Sequence, residues 1–252
     1  MEMRAHMGRL AAVAILPLLA VTAACGGSSS DEAEKTDSKV ESASPGSDGS
    51  QSDAAVPSLS EEQLKEALLG ADAVVGFKGT EPDQKPVTPK ADKSECQPLA
   101  DLTAFGADRS PQAKAFASRA FVASKPGEEG AFVTLGLLSY EKEGATETIV
   151  GIRSALAACG EGFKTFDNNQ GQTITYTKAE ERKVATGGDQ SIALKLVAKS
   201  QGFQIPMDFV VVSSRSTLAQ FTSMNVKNPK GAEVPDSIVS AQLDKLAKVT
   251  SG

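Results

Sequence analysis

A low-complexity segment near the N-terminus decides where this chain can begin to fold. Residues 26–57 are rich in Ser, Asp, Glu and Gly, with no aromatic side chain and very few apolar ones. Such a segment cannot bury enough apolar surface to offset the entropy of ordering its backbone. We therefore predict a disordered tether over residues 26–57, with an end-to-end distance of roughly 30 Å. A single folded domain is predicted over residues 58–252.

The residues before the tether are typical of a targeting segment that is removed from the mature protein. Two arginines precede an apolar run, Leu10–Val21, which is too short for a permanent membrane-spanning helix. The run leads into residues 21–25 (Val-Thr-Ala-Ala-Cys), which resemble the lipobox of bacterial lipoproteins. The resemblance implies a signal peptide over residues 1–24, lipidation of Cys25, and a location on the extracytoplasmic face of the cell membrane. An ordinary secretory signal, cleaved at an Ala-x-Ala-like site, is the alternative.

The two remaining cysteines, Cys96 and Cys159, are expected to form a disulfide. Thiols pair in the oxidising environment outside the cytoplasm, and Cys25 is assigned to the lipid. Closing a loop of this length would stabilise the domain by roughly 4 kcal/mol. Two unpaired buried thiols are the alternative.

The charge distribution argues against nucleic acid as a partner. The net charge is −6, and seven acidic against two basic residues fall between residues 26 and 60. The folded part is therefore only slightly acidic, without a run of basic residues that would mark a nucleic-acid or anionic-lipid site. We expect no nucleic-acid partner, and we expect the membrane to be engaged through the lipid anchor.

Hydrophobic periodicity predicts an α+β domain: one mainly antiparallel, twisted sheet with helices packed against it. Helices are predicted from Ser60, with a capping box to Gln63 and a stop at Gly70, near Glu143–Cys159, and from Asp236 to Val249. Strands are predicted near residues 131–140, 172–178, 192–196, 205–211 and 218–226, the last three as an antiparallel meander. Residues 79–98, which are rich in proline, are predicted to form an irregular surface loop that reaches Cys96.

The order of these elements resembles the PknH-like extracellular sensor domain of actinobacterial membrane kinases and cell-envelope lipoproteins. The residues that carry the likeness are Leu64–Leu69, Cys96, Ala155–Cys159, and Val234-Pro235 with Gln242, Lys245 and Leu246. The resemblance covers most of residues 58–250. It implies a non-enzymatic, sensor-like module that binds a small molecule, a lipid or an envelope protein. A PsbP-like lipoprotein fold is the alternative.

The residue types needed for most enzyme chemistry are missing from the predicted mature chain. The only histidine, His6, lies in the predicted signal peptide, which excludes His-dependent hydrolases and His-ligated metal sites. A Cys96–Cys159 disulfide would leave no thiolate nucleophile. We therefore predict no catalytic residue, no metal and no cofactor, and the sequence does not identify ligand-binding residues.

An envelope hydrolase that uses paired carboxylates or a Ser–Lys pair is the enzymatic alternative. The candidate carboxylates are Glu141 with Glu143, Glu180 with Glu181, and Asp208, all of which are predicted to lie on solvated surface.

Aromatic residues give little support for carbohydrate binding. The chain has no Trp, so Tyr140 and Tyr176 are the candidate rings on which a sugar could stack. Eight phenylalanines are predicted to lie in the core: Phe105, Phe116, Phe121, Phe163, Phe166, Phe203, Phe209 and Phe221.

Overall fold

The computed structural model describes residues 57–82, 87–106, 108–125, 129–166, 171–183, 187–200 and 202–250. The predicted signal peptide, Cys25 and the tether lie outside these residues. The described residues form one open sheet of nine antiparallel strands with helices packed on both faces. The predicted α+β class with a mainly antiparallel sheet is confirmed.

The strands are β1 (Phe77–Thr80), β2 (Lys90–Ala91), β3 (Ala115–Ala123), β4 (Ala131–Ser139), β5 (Phe163–Phe166), β6 (Ile174–Arg182), β7 (Gln190–Ser200), β8 (Phe203–Ser214) and β9 (Thr217–Asn225). The helices are α1 (Glu61–Ala67), α2 (Gln97–Asp101), α3 (Gly144–Cys159) and α4 (Asp236–Thr250), with short 3₁₀ helices at Ser94–Cys96 and Pro229–Gly231. The spatial order of the strands is β1-β3-β4-β9-β8-β7-β6-β5-β2.

The long strands of the C-terminal half form the predicted meander. Strands β7, β8 and β9 pair in sequence order, all antiparallel. The prediction of an irregular loop over residues 79–98 is wrong, because this stretch holds the end of β1, β2, a 3₁₀ helix and the start of α2. Its backbone polar groups are partly satisfied by pairing β2 with β5 at the sheet edge.

The first helix begins as predicted and ends earlier than predicted. The Gln63 amide donates to Ser60 Oγ (3.3 Å), and the Ser60 amide donates to Gln63 Oε1 (2.8 Å), which completes the capping box. The helix ends before Gly70 because the fully buried Gln242 of α4 bonds to its last turn. The Leu69 amide donates to Gln242 Oε1 (2.9 Å), and Gln242 Nε2 donates to the Ala67 carbonyl (2.8 Å).

The two faces of the sheet carry separate apolar cores. Helices α1 and α4 cover one face, here called the α4 face, where Val133, Leu135 and Phe221 are buried. Helices α2 and α3 cover the other, the α3 face, where Leu138 and Phe209 are buried. The central strands are therefore buried on both sides. In many antiparallel sheets, by contrast, one face is exposed to solvent.

A disulfide holds the helical layer of the α3 face together. Cys96, at the start of α2, is bonded to Cys159, the last residue of α3, with their Cα atoms 5.9 Å apart. Both cysteines are buried within the core of this face. The bond therefore fixes the β2–α2 segment against the end of the longest helix.

Candidate functional site

The helical layer on the α3 face does not reach the end of the sheet where β8 begins. Phe203, Ile205, Met207 and Phe209 point to this face, because successive strand side chains alternate. Phe209 is fully buried in the core beneath α3, whereas Ile205 is 36% exposed and Phe203 is 72% exposed. Exposure therefore rises along β8 towards its first residue.

The same end of this face stays apolar across three neighbouring strands. Val122 of β3 lies opposite Phe132 of β4, and Phe132 lies opposite Met224 of β9. Because Asp208 pairs with Ser223, the register places Met207 of β8 beside Met224. Directly opposite residues share a face, so these side chains continue the exposed part of β8.

These residues form one surface, which we call the apolar strip: Val122, Phe132, Met207, Met224, Ile205 and Phe203. The strip crosses four strands, or about 14 Å at the usual spacing between strands. Its members are half-buried or exposed, with Val122 45% exposed. Contiguous exposed apolar surface is typical of sites that bind a partner or an apolar ligand. The two methionines add side chains that adapt to irregular ligand shapes.

Of the eight phenylalanines predicted to lie in the core, the prediction is wrong for Phe203 and for Phe166, which is 39% exposed. Both lie at strand ends, Phe203 at the start of β8 and Phe166 at the end of β5. Phe203 is exposed because α3 does not extend over this end of β8. Phe166 is exposed because it points to the face opposite to Phe163 and Thr165, close to the edge of the sheet. Neither cause can be read from residue type.

Three lysines lie near the strip although they are scattered in the sequence. Lys78 lies directly opposite Val122 on β1, so it shares the α3 face. Lys125 and Lys227 follow β3 and β9 at this end, and their aliphatic stems lie against Gly76 and Gly130. All three are exposed, and within the described part of the chain none forms an ion pair.

Asp208, which is predicted to face water, is instead fully buried on the α4 face. Its carboxylate accepts two bonds from Arg182, Nε to Oδ1 and NH2 to Oδ2, each 2.6 Å. Oδ2 also accepts from the Val234 amide at 2.8 Å. The carboxylate raises the pKa of Arg182 by hydrogen bonding to its guanidinium. With its acceptor sites occupied, Asp208 serves the fold, not catalysis.

Three of the other candidate carboxylates form ion pairs with lysine or arginine on the surface. Glu141 pairs with Lys114 (3.0 Å) and Glu181 with Arg153 (3.2 Å). Glu180 pairs with Lys178 and, as the strand neighbour of Glu181, points to the opposite face.

Glu143 is the residue before the first turn of α3. Among the described residues, no group of three or more His, Cys, Asp or Glu side chains could hold a metal ion.

A buried polar cluster fastens the segment after α2 to the sheet. Arg109, only 8% exposed, donates to the carbonyls of Asp101 (3.1 Å), Ala104 (3.0 Å) and Gly106 (3.2 Å). It also donates to Gln220 Oε1 of β9 (3.0 Å). Burial raises the pKa of the nearby Asp101 carboxyl. Because the guanidinium bonds mostly to the chain's own carbonyls, this cluster is structural.

The two tyrosines that could have stacked on a sugar are not available to one. Tyr140 and Tyr176 are 1% and 3% exposed, and burial raises the pKa of both phenols. Tyr176 stacks on Phe163, with ring centroids 4.6 Å apart. Both rings therefore belong to the core of the α3 face.

No protein-family model matches this sequence, and no curated protein is significantly similar to it. The extracellular domain of PknH from Mycobacterium tuberculosis is a similar solved structure, with 10% identity and a TM-score of 0.45 over 78% of this chain and 100% of that chain. An uncharacterized protein from Mycobacterium smegmatis, the Rv0999 ortholog, has 12% identity and a TM-score of 0.40 over 75% of this chain and 96% of that chain.

The order of elements in the sequence resembles a PknH-like extracellular sensor domain, and the PknH extracellular domain is among the similar solved structures. Since both TM-scores lie below 0.5, the likeness carries no argument about function. Among the described helices, none is long and apolar enough to cross a membrane.

Proposed function

We propose that this protein is a lipid-anchored, extracytoplasmic binding module that receives an apolar ligand or partner surface on the apolar strip. The observation that carries the proposal is the exposure of Phe203 and Ile205 on β8, continuous through Met207 with Met224 and Phe132 on the neighbouring strands. Leaving two phenylalanines and two methionines exposed or only half-buried on a sheet forfeits part of the stabilisation that full burial would give. A binding role accounts for their position beyond the helical layer.

The location rests on the N-terminal sequence and on the disulfide. The apolar run that ends at Cys25 supports export and lipidation, and a buried Cys96–Cys159 bond is typical of oxidising compartments. Two acyl chains would hold the protein firmly, since each buried methylene contributes about 0.8 kcal/mol.

Binding to the strip is tested by thermal-shift screening of the mature protein against envelope lipids and amphiphilic metabolites. A ligand at 100 times its dissociation constant should stabilise the domain by about 2.7 kcal/mol, or roughly 5–10 °C. Phe203→Asp should abolish this shift, because it places a charge in the most exposed part of the apolar contact. Val150→Asp is the matched control, since Val150 is an apolar residue of α3 that is 53% exposed away from the strip. Equal shifts in both variants would exclude the strip as the binding site.

Anchoring is tested by Cys25→Ala followed by cell fractionation. The variant should remain uncleaved or be released into the medium, while its folded domain stays unchanged, because Cys25 lies far before the first strand. Recovery of the mature variant with the membranes, in the same amount as wild type, would contradict lipidation of Cys25.

A further inference from the structure

We propose that the apolar strip docks on the anionic surface of a phospholipid bilayer, with Phe203 and Ile205 inserted among the acyl chains. The proposal rests on the proposed function and names the partner of that site. It makes the lipid anchor the first of two membrane contacts, and the strip the second.

Charge complementarity favours a bilayer. Lys78 flanks the strip on β1, while Lys125 and Lys227 leave the strands at the same end. Apolar side chains flanked by exposed lysines match the acyl region and the anionic headgroups of a leaflet.

The lysines nearest the strip are not neutralised within the described part of the chain. Within this part of the chain, the ion pairs of Glu81, Glu141, Glu180, Glu181 and Glu233 are made with other basic residues. Lys78, Lys125 and Lys227 are exposed and take part in none of them. Their charge is therefore available to a headgroup, with each lysine expected to strengthen partitioning about fivefold.

The position at which the chain enters the domain fits this orientation. The Pro57 carbonyl accepts from Ser216 Oγ (2.8 Å), and the Leu59 amide donates to Ser139 Oγ (2.6 Å). Ser139 ends β4, whereas the strip lies where β4 begins, eight residues away, or about 27 Å along the strand. The predicted tether from Cys25 has a similar end-to-end distance, roughly 30 Å. A linker that matches the span gives the highest effective concentration of the second contact.

The chain offers a direct optical test because it contains no tryptophan. The mature lipidated protein carrying Phe203→Trp is reconstituted into vesicles of phosphatidylcholine alone or mixed with phosphatidylglycerol. On the mixed vesicles, the emission of this single indole should shift to the blue, and acyl-chain-brominated lipids should quench it. High salt should reverse both effects, since it screens the lysines. Lys78→Gln should weaken the response about fivefold.

Val150→Trp, on α3, is the matched control and should respond to neither lipid mixture. Val122→Trp gives a second reporter at the far edge of the strip. Flotation with neutral vesicles reports the anchor separately, so a failure of lipidation is distinguished from a failure of docking. The proposal would be overturned if the indole emission of both Phe203→Trp and Val122→Trp stayed unshifted in protein that floats with anionic vesicles. A blue shift in Val150→Trp equal to that in Phe203→Trp would overturn it too, because contact with the vesicle would then not be specific to the strip.

Discussion

Reduction of the Cys96–Cys159 disulfide should lower the free energy of unfolding by about 4 kcal/mol. The bond spans a sequence separation of 63 residues, and the loss of loop entropy in the unfolded chain gives this figure. Domains of this kind are stable by only about 5–15 kcal/mol in total. The loss is therefore a large share of the stability, and urea unfolding with and without reductant measures it.

Local unfolding after reduction should begin in the segment that the disulfide holds. Cys96 ties β2 and α2 to the end of α3, and β2 itself has only two residues. After reduction, hydrogen exchange should increase first in this segment and only later in the β7–β8–β9 meander. The double variant Cys96→Ala/Cys159→Ala is the matched control and should unfold like the reduced protein. Free thiols at both positions in the non-reduced mature protein, found by mass spectrometry, would contradict the account.

Asp208→Ala should cost about 3 kcal/mol, because it leaves a partly buried guanidinium and the Val234 amide without their shared acceptor. Asp208 is fully buried, while the side chain of Arg182 is 21% exposed. Residual exposure lets water reach Arg182, which places the cost at the lower end of the range for broken buried pairs. Urea unfolding measures this loss as a lower midpoint concentration, with an unchanged dependence of the unfolding free energy on urea concentration.

The chain supplies a control pair next to this one. Lys195 and Glu233 form an ion pair of 2.9 Å whose side chains are 40% and 64% exposed. Glu233→Gln should therefore cost less than about 1 kcal/mol. The double variant Asp208→Leu/Arg182→Met should recover part of the loss, since it leaves no buried charge unpaired. An Asp208→Ala midpoint equal to that of Glu233→Gln would contradict the role assigned to Asp208.

Strong local patterns in the sequence predict the long elements well. Apolar residues at every second position mark β4 and the meander, and apolar spacing of three and four residues marks α3 and α4. Strand β3 is missed because small alanines on both of its faces weaken the alternation. Strands β1 and β5 have only four residues each, and α2 has five, too few for a periodic signal.

Asp208 and Phe203 show where pattern analysis fails for physical reasons. The alternation of side chains correctly predicts that Asp208 and its neighbour Phe209 point to opposite faces of the sheet. The assumption that the opposite face meets water is wrong, because α4 and the segment before it cover that face. The prediction for Phe203 fails in the opposite way: the residue is predicted to be buried, but α3 does not extend over its face at this end of β8. Both outcomes depend on where helices distant in sequence come to rest.

The lysines around the apolar strip illustrate the same limit. No run of basic residues exists in the folded part, yet antiparallel register gathers Lys78, Lys125 and Lys227 at one end of the sheet. Register is a property of strand pairing over long sequence separations. The candidate site therefore becomes visible only when two hairpins distant in sequence, β3–β4 and β8–β9, are placed side by side.

The most direct test of the binding role is methionine oxidation in isolated cell envelopes. Met207 and Met224 are the only methionines after the predicted signal peptide, and both lie in the apolar strip. Hydroxyl-radical labelling with mass spectrometry compares wild type in envelopes with the purified Cys25→Ala chain, and Val150→Met supplies an exposed reference on α3 in each. The account predicts several-fold slower oxidation of both native methionines in envelopes, at an unchanged rate for the reference. Equal oxidation of Met207 and Met224 in the two samples would contradict it.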